Sequence, residues 1–95
     1  MKKYLPLGSI VHLVNAQKLV MIIGYGIKGE KKNKIYDYVG CIYPEGFISY
    51  KENLVFDQTR IDEIISLGYK NDDWVEAEKV IKQCVKELES EKKNE

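Results

Sequence analysis

The chain has 95 residues, of which 44% are hydrophobic and 11% aromatic, a composition typical of a folded domain rather than a disordered one. This length predicts a single domain over residues 1–95, with too little chain for both a core and a deep catalytic cleft. Lys and Arg number 15 and Asp and Glu number 15. The resulting net charge of zero disfavours nonspecific attraction to nucleic acid or to an anionic membrane.

The two halves of the chain carry opposite charge. Residues 1–43 hold seven lysines against two acids, a net charge of +5, and residues 44–95 hold eight basic residues against thirteen acids, a net charge of −5. Such a separation favours docking to a partner or head-to-tail contact between copies.

Cysteine usage and hydropathy bear on compartment and cofactors. Cys41 and Cys84 belong to no CxxC motif and have only His12 as a nitrogen ligand, so we expect free thiols, no metal site and no cofactor. The basic and apolar N-terminus imitates a signal peptide, but Pro6 and Gly8 interrupt the apolar run, which alternates like a strand. No segment approaches the roughly 20 apolar residues of a membrane span. We therefore expect a cytoplasmic protein with no membrane association.

The first half of the chain predicts a β-hairpin and a third strand. Two apolar runs, residues 10–14 and 19–23, flank a short polar connection at residues 15–18. A third strand is expected to begin at about Lys34 and to carry apolar bulk on both faces, because side chains alternate along an extended chain.

A glycine-rich stretch separates the second and third predicted strands. Gly24, Gly26 and Gly29 predict that the second strand ends there and gives way to a solvated loop over residues 30–33. The spacing GYGIKG does not open a helix, as a dinucleotide-binding loop would. The neighbouring lysines could hold a phosphate, although a solvated loop is the simpler explanation.

Beyond the third strand the pattern predicts a turn and further short elements. Residues 43–46 are typical of a type I turn, with proline at its second position and glycine at its fourth. A short strand over residues 47–50 should follow. A single helical turn is expected near Asp57, and residues 61–69 fit either a strand, which Gly68 favours, or a short helix.

The C-terminal segment predicts an amphipathic helix over residues 71–89. Asp73 and Glu76 form a capping-box-like start. Apolar side chains recur at helical spacing, namely Trp74, Ala77, Ile81, Cys84 and Leu88. Residues 90–95 are expected to fray. Together with a β-rich body over residues 1–70, this predicts an α+β, mainly β fold. We expect a strongly bent antiparallel sheet or SH3-like barrel of four to five strands, followed by the helix.

Candidate catalytic side chains are sparse. His12 is the single histidine and has no carboxylate or thiol near it in sequence, so a structural role is favoured over that of a base. Ser9 and Ser49 lack the context of a nucleophile. An enzyme or small-ligand binder would need a pocket that gathers His12, Asp37 and a tyrosine. We therefore predict that the protein is not an enzyme.

Asp37 and the tyrosines are the most informative candidates for partner binding. Asp37 lies between Tyr36 and Tyr38, where a buried carboxylate needs a hydrogen-bond partner. It is either a recognition acid beside exposed tyrosines or an acid satisfied by a lysine or a turn amide. Tyrosine suits protein interfaces, although it is also a good strand former. The candidate partner-binding residues are Tyr36, Asp37, Tyr38, Tyr43, Pro44, Glu45, Gly46 and Trp74.

Several segments carry a family resemblance: YLPLGSIVHL, LVMIIGYG, YDYVGCIYPEG and IDEIISLGY, in this order. They resemble a small family of unknown function from Gram-positive bacteria, whose members are encoded beside LXG-type toxins and other components of type VII secretion loci. The resemblance covers roughly residues 4–69. It implies an accessory role, such as a chaperone or targeting adaptor for the toxin, with no catalytic residue to carry over.

The resemblance also implies the partners, which are an LXG toxin or its small helical companions. Exposed strand edges and the wide apolar stripe of the helix predict self-association in addition. The alternative function is that of a small-barrel nucleic-acid-binding protein, since such barrels present aromatic and basic residues to single strands. Zero net charge makes nucleic acid the less favoured partner.

Overall fold

A computed structural model describes residues 3–28 and 34–93, with side chains in the C-terminal helix described through Ser90. The elements in chain order are β1 Ile10–Leu13, β2 Leu19–Lys28, β3 Ile35–Tyr43, a 3₁₀ helix Tyr50–Glu52, β4 Leu54–Phe56, a 3₁₀ helix Gln58–Arg60, β5 Ile61–Ser66 and α1 Asp72–Lys93. The strands form one antiparallel sheet in the order β4-β3-β2-β1-β5. The predicted α+β, mainly β fold with a C-terminal helix is confirmed.

The sheet is open but curved. β4 and β5 lie at its two edges, yet only residues 57–60 separate them in the chain. That link contains a 3₁₀ turn, so it reaches on the order of 13 Å. Five flat strands spaced by about 4.8 Å would place the edges roughly 19 Å apart. The sheet must therefore bend until its edges approach each other, and the helix Gln58–Arg60 bridges them.

The core lies between the concave face of the sheet and α1. The core side chains come from all parts of the chain, namely Tyr4, Val11, Leu13, Val20, Ile22, Tyr38, Phe56 and Trp74. Gly40 lies opposite Ile22 on this face, and a Cβ at Gly40 would come within 2.4 Å of Val20 Cγ1. The missing side chain therefore lets β2 and β3 pack closely under the core.

The second strand is longer than the predicted run 19–23, because β2 continues through Gly24 and Gly26 to Lys28. A bulge precedes Gly24, and Gly26 has a φ of 60°, so these glycines bend the strand instead of ending it. A Cβ at Gly26 would lie 2.8 Å from Val85 Cγ2. Gly26 thus lets α1 approach β2 closely. The predicted loop over residues 30–33, with its lysines, lies outside the described residues.

The turn after β3 differs from the predicted type I turn. The Tyr43–Pro44 peptide is cis, and Gly46 has a φ of 81°. The Gly46 N–H donates to the Ile42 carbonyl at 2.7 Å, so the hydrogen bond closes over one residue more than in a type I turn. Residues 47–49 then form no regular element, and the predicted strand at 47–50 is wrong.

The strand that pairs with β3 lies later in the chain because its phenylalanine belongs to the core. Phe56 is 2% exposed and pairs with Tyr38, and the two ring centroids are 5.5 Å apart. Phe47 is 63% exposed. Burial of Phe56 fixes β4 beside β3. Because β4 then occupies this edge of β3, Phe47 and Ile48 cannot pair with β3 there.

The hairpin, the helical turn after Asp57 and a strand within residues 61–69 are confirmed. The predicted capping box is wrong: Asn71 Oδ1 accepts the Trp74 N–H at 2.9 Å, so Asn71 caps α1. The helix also continues to Lys93, past the predicted start of fraying, because its Glu- and Lys-rich end has high helix propensity. No helix in the described ranges is both long enough and apolar enough to span a bilayer.

Candidate partner-binding surface

The predicted partner-binding residues separate into a buried and an exposed group. Tyr38 has no exposed surface, Asp37 is 5% exposed and Trp74 is 8% exposed. Tyr36 is half-buried. The interpretation that places exposed tyrosines on both sides of Asp37 is therefore wrong for Tyr38, which faces the core because it pairs with Tyr25 under α1.

Tyr38 and Tyr25 attach the N-terminal segment to the sheet. The Tyr38 hydroxyl accepts the Leu5 N–H at 3.0 Å and donates to Gln58 Oε1. The Tyr25 hydroxyl donates to the Leu5 carbonyl, so tyrosines satisfy both backbone groups of Leu5. Burial raises the pKa of Tyr38 to about 12 and also raises the pKa of Tyr25. Both hydroxyls thus have structural roles.

Trp74 attaches α1 to the same aromatic cluster. Its ring centroid is 5.6 Å from that of Tyr25, which in turn is 5.4 Å from that of Tyr4 in an edge-to-face contact. One turn along the helix, a Glu78 carboxylate oxygen accepts the Tyr4 N–H at 2.9 Å. Trp74 therefore holds the helix on the sheet and offers a partner almost no surface.

Asp37 binds the 3₁₀ turn between β4 and β5. Its Oδ2 accepts the Gln58 N–H at 2.8 Å, and its own N–H donates to Asp57 Oδ1 at 3.2 Å. Lys34 joins the group through an ion pair with Asp57 at 2.8 Å, and this contact raises the pKa of Lys34. The structure thus supports the interpretation of Asp37 as an acid satisfied by a turn amide.

His12 connects β5 to the β1–β2 hairpin. Its Nδ1 lies 2.6 Å from Asp62 Oδ1, and its Nε2 lies 3.0 Å from the Ala16 carbonyl oxygen. The hydrogen bond with Asp62 raises the pKa of His12. The strand register places His12 and Asp37 at opposite ends of β2, roughly 20 Å apart, so no pocket gathers them. Within residues 3–28 and 34–93, no three metal-ligating side chains form a cluster.

The exposed group of predicted residues borders an apolar surface. Tyr43 is 42% exposed, Pro44 and Glu45 are exposed, and Gly46 is half-buried. Glu45 forms an ion pair with Lys18, and this contact lowers the pKa of Glu45. These residues lie at the end of β3, immediately before a stretch of large apolar side chains that point into solvent.

We define the 43–55 surface by its exposed side chains Tyr43, Phe47, Ile48, Tyr50 and Val55. Phe47, Ile48 and Tyr50 are 63%, 64% and 77% exposed. With side-chain areas on the order of 150–250 Å², these fractions amount to roughly 400 Å². That value is within the range for the largest apolar patch of a monomer, and such patches often mark interaction sites.

Phe47, Ile48 and Tyr50 are the site residues that sequence reasoning missed. A strand over residues 47–50, as predicted, would bury every second side chain, so the prediction gave no reason to expect all three to be exposed. The available signal was the pair of apolar residues directly after a proline-glycine turn, followed within a few residues by the apolar run 54–56 that could take the strand position instead.

The fold and these contacts define a small, mainly β domain in which polar side chains join elements of the same chain while Phe47 and Tyr50 remain exposed. The chain belongs to the family described as Domain of unknown function (DUF4176), whose model matches residues 4–76. The match includes all five strands, the Asp37 contacts and the 43–55 surface. No curated protein and no solved structure shows significant similarity to the chain.

Proposed function

We propose that the protein is a non-catalytic, protein-binding accessory module of the cytoplasm. It acts as an adaptor or chaperone-like targeting factor for an LXG toxin of a type VII secretion system. The observation that carries the proposal is the 43–55 surface, where three large apolar side chains within four residues point into solvent. The resemblance of YDYVGCIYPEG to proteins encoded beside LXG toxins supports the choice of partner.

The composition of the 43–55 surface suits a protein partner. Interface energy is concentrated in a few aromatic and aliphatic side chains, surrounded by polar residues that exclude water. Phe47 and Tyr50 are aromatic, and the Lys18–Glu45 ion pair supplies a polar border. Because β3 and β4 anchor both ends of the segment, binding would order little backbone and would keep the entropic cost low.

The polar side chains support a non-catalytic role. Asp37, His12 and Tyr38, which are the groups most suited to acid-base chemistry, each have a structural hydrogen-bond partner in the fold. A catalytic group has to face a substrate, whereas these face neighbouring elements of the same chain.

The alternative function, binding of single-stranded nucleic acid, receives less support from this surface. Exposed aromatic rings could stack on bases, but such sites also need a basic groove for the phosphates. The charged residues next to the 43–55 surface are Lys18 and Lys51 with Glu45 and Glu52, which give no net positive charge. Weak, salt-insensitive binding to single-stranded oligonucleotides is the expected result, and tight binding with steep salt dependence would favour the alternative.

The test is co-expression with the LXG toxin and its small helical companions, followed by affinity purification and size-exclusion chromatography. We expect a stoichiometric complex that Phe47→Ala and Ile48→Ala each weaken about 10-fold or more, as loss of a central apolar contact does. Val80→Ala is the matched control, since Val80 is 62% exposed on α1 and lies outside the surface. Absence of a complex, or equal weakening by all three variants, would contradict the proposal.

A further inference from the structure

β5 is an edge strand that is exposed on both faces. It pairs with β1 on one side, and no other strand of the described residues pairs with its second side. Five of its six residues are exposed, and only Ile61 is partly buried. An edge of this kind presents unpaired backbone groups to another chain.

The chain that follows β5 extends this exposed region. Ser9 is fully buried, and its Oγ accepts the Gly68 N–H at 3.0 Å. A Cβ at Gly68 would lie 2.0 Å from the Leu7 carbonyl oxygen, so the two segments touch through their backbones. This contact brings Leu7 to the segment that contains Leu67 and Tyr69. We define the β5-edge surface by the exposed side chains Leu7, Ile64, Ile65, Leu67 and Tyr69.

We infer that the β5-edge surface is the interface of a homodimer. In this dimer the β5 strands of two copies pair antiparallel about a twofold axis and join the two five-stranded sheets. The interface shares no residue with the 43–55 surface, so the inference goes beyond the proposed function and leaves that surface free. The occupant is a second copy of the chain, for reasons of area, backbone and charge.

The area is sufficient for a dimer. Leu7, Leu67 and Tyr69 are 53%, 58% and 83% exposed, and Ile64 and Ile65 are close to half exposed. With side chains on the order of 150–250 Å², these fractions amount to roughly 500 Å² per copy. Complete burial of these side chains in both copies would cover roughly 1,000 Å², and the paired backbones add to it, which reaches the lower end of the range of specific interfaces.

The backbone of β5 retains unpaired groups for a second strand. Along an antiparallel strand the N–H and C=O groups of successive residues point alternately to one side and the other. The groups of β5 that point away from β1 therefore have no strand partner in the described residues. An adjacent β5 strand from a second copy would supply partners for these groups.

The charge pattern of β5 favours antiparallel pairing with itself. Its two acids, Asp62 and Glu63, lie in the first half of the strand, and no acid lies in the second half. Full antiparallel overlap places Asp62 opposite Ile65 and Glu63 opposite Ile64 of the second copy. Parallel overlap would place each acid opposite the same acid of the second chain, and like charges directly opposite each other are destabilising. A twofold axis through the β5 pair therefore avoids repulsion between like charges.

Sedimentation equilibrium of the full chain over a range of micromolar concentrations tests the inference. We expect a monomer–dimer equilibrium in which Ile65→Lys and Tyr69→Asp each raise the dissociation constant at least 10-fold. Val80→Lys is the matched control, because it adds the same charge at an exposed position of α1, and its dissociation constant should stay unchanged. Circular dichroism establishes that each variant is folded. If Ile65→Lys does not fold, Tyr69→Asp still tests the inference, because Tyr69 lies outside β5.

Two results would overturn the inference. One is a wild-type chain that remains monomeric at high micromolar concentration. The other is a dimer that the β5-edge variants weaken no more than Val80→Lys does. The outcome is separable from that of the proposed function, since Phe47→Ala should leave the dimer intact. A monomeric Tyr69→Asp protein should still bind the toxin.

Discussion

Replacing Tyr38 with phenylalanine removes one hydroxyl from the core and keeps the ring. The Leu5 N–H and Gln58 Oε1 then lose their partner. An unsatisfied buried polar group costs about 1–3 kcal/mol. Both groups are only partly buried, and water can compensate for some of the loss. The expected decrease in the free energy of unfolding is therefore about 2–3 kcal/mol.

Urea denaturation followed by tryptophan fluorescence measures this loss, since Trp74 is the single tryptophan and is 8% exposed in the folded chain. Tyr50→Phe is the matched control, because Tyr50 is 77% exposed and its substitution should change stability by less than about 0.5 kcal/mol. If Tyr38→Phe is no less stable than Tyr50→Phe, the hydroxyl does not secure the N-terminal segment. Binding of a partner should be unchanged in Tyr38→Phe, because the side chain has no exposed surface.

Two further changes probe the sheet. Gly40→Ala would place a Cβ 2.4 Å from Val20 Cγ1 and 2.8 Å from the Met21 carbonyl oxygen. We expect a loss of about 1–3 kcal/mol, seen as a Tm lowered by roughly 5–20 °C, and an unchanged Tm would contradict the close packing of β2 and β3. The hydrogen bond with Asp62 raises the folded-state pKa of His12 above 6.5. The stability that this hydrogen bond contributes is fully present below pH 6.5 and is lost as the pH rises through the folded-state pKa. The free energy of unfolding measured in urea should therefore decrease less across this pH range in Asp62→Asn than in the wild-type chain.

The parts of the fold that follow local periodicity could be predicted from the sequence. β1, β2 and β3 have runs of β-branched and aromatic residues, and α1 has apolar residues at helical spacing around Trp74. Gly24 and Gly26 misled the prediction because, judged from the local sequence alone, glycine indicates the end of a strand. Here Val85 of α1 lies over Gly26, a contact that joins residues far apart in sequence.

The candidate site was predicted only in part because exposure depends on which face the helix covers. Tyr36 and Tyr38 lie two residues apart in β3, so strand alternation gives both side chains the same direction. Only the position of α1 decides that Tyr38 is fully buried in the core. Asp37 finds its partners in Asp57 and Gln58, about 20 residues away. Local patterns contain no information about such contacts.

The position of β1 in the sheet has a consequence for folding during synthesis. β1 is the second strand from one edge, and its outer neighbour β5 is made about 50 residues later, as the His12–Asp62 contact shows. The Tyr4–Glu78 hydrogen bond spans 74 residues and closes later still. Contacts of such sequence separation slow folding. A nascent chain would therefore hold β1, β2 and β3 as an incomplete sheet until β5, which ends at Ser66, had left the ribosome.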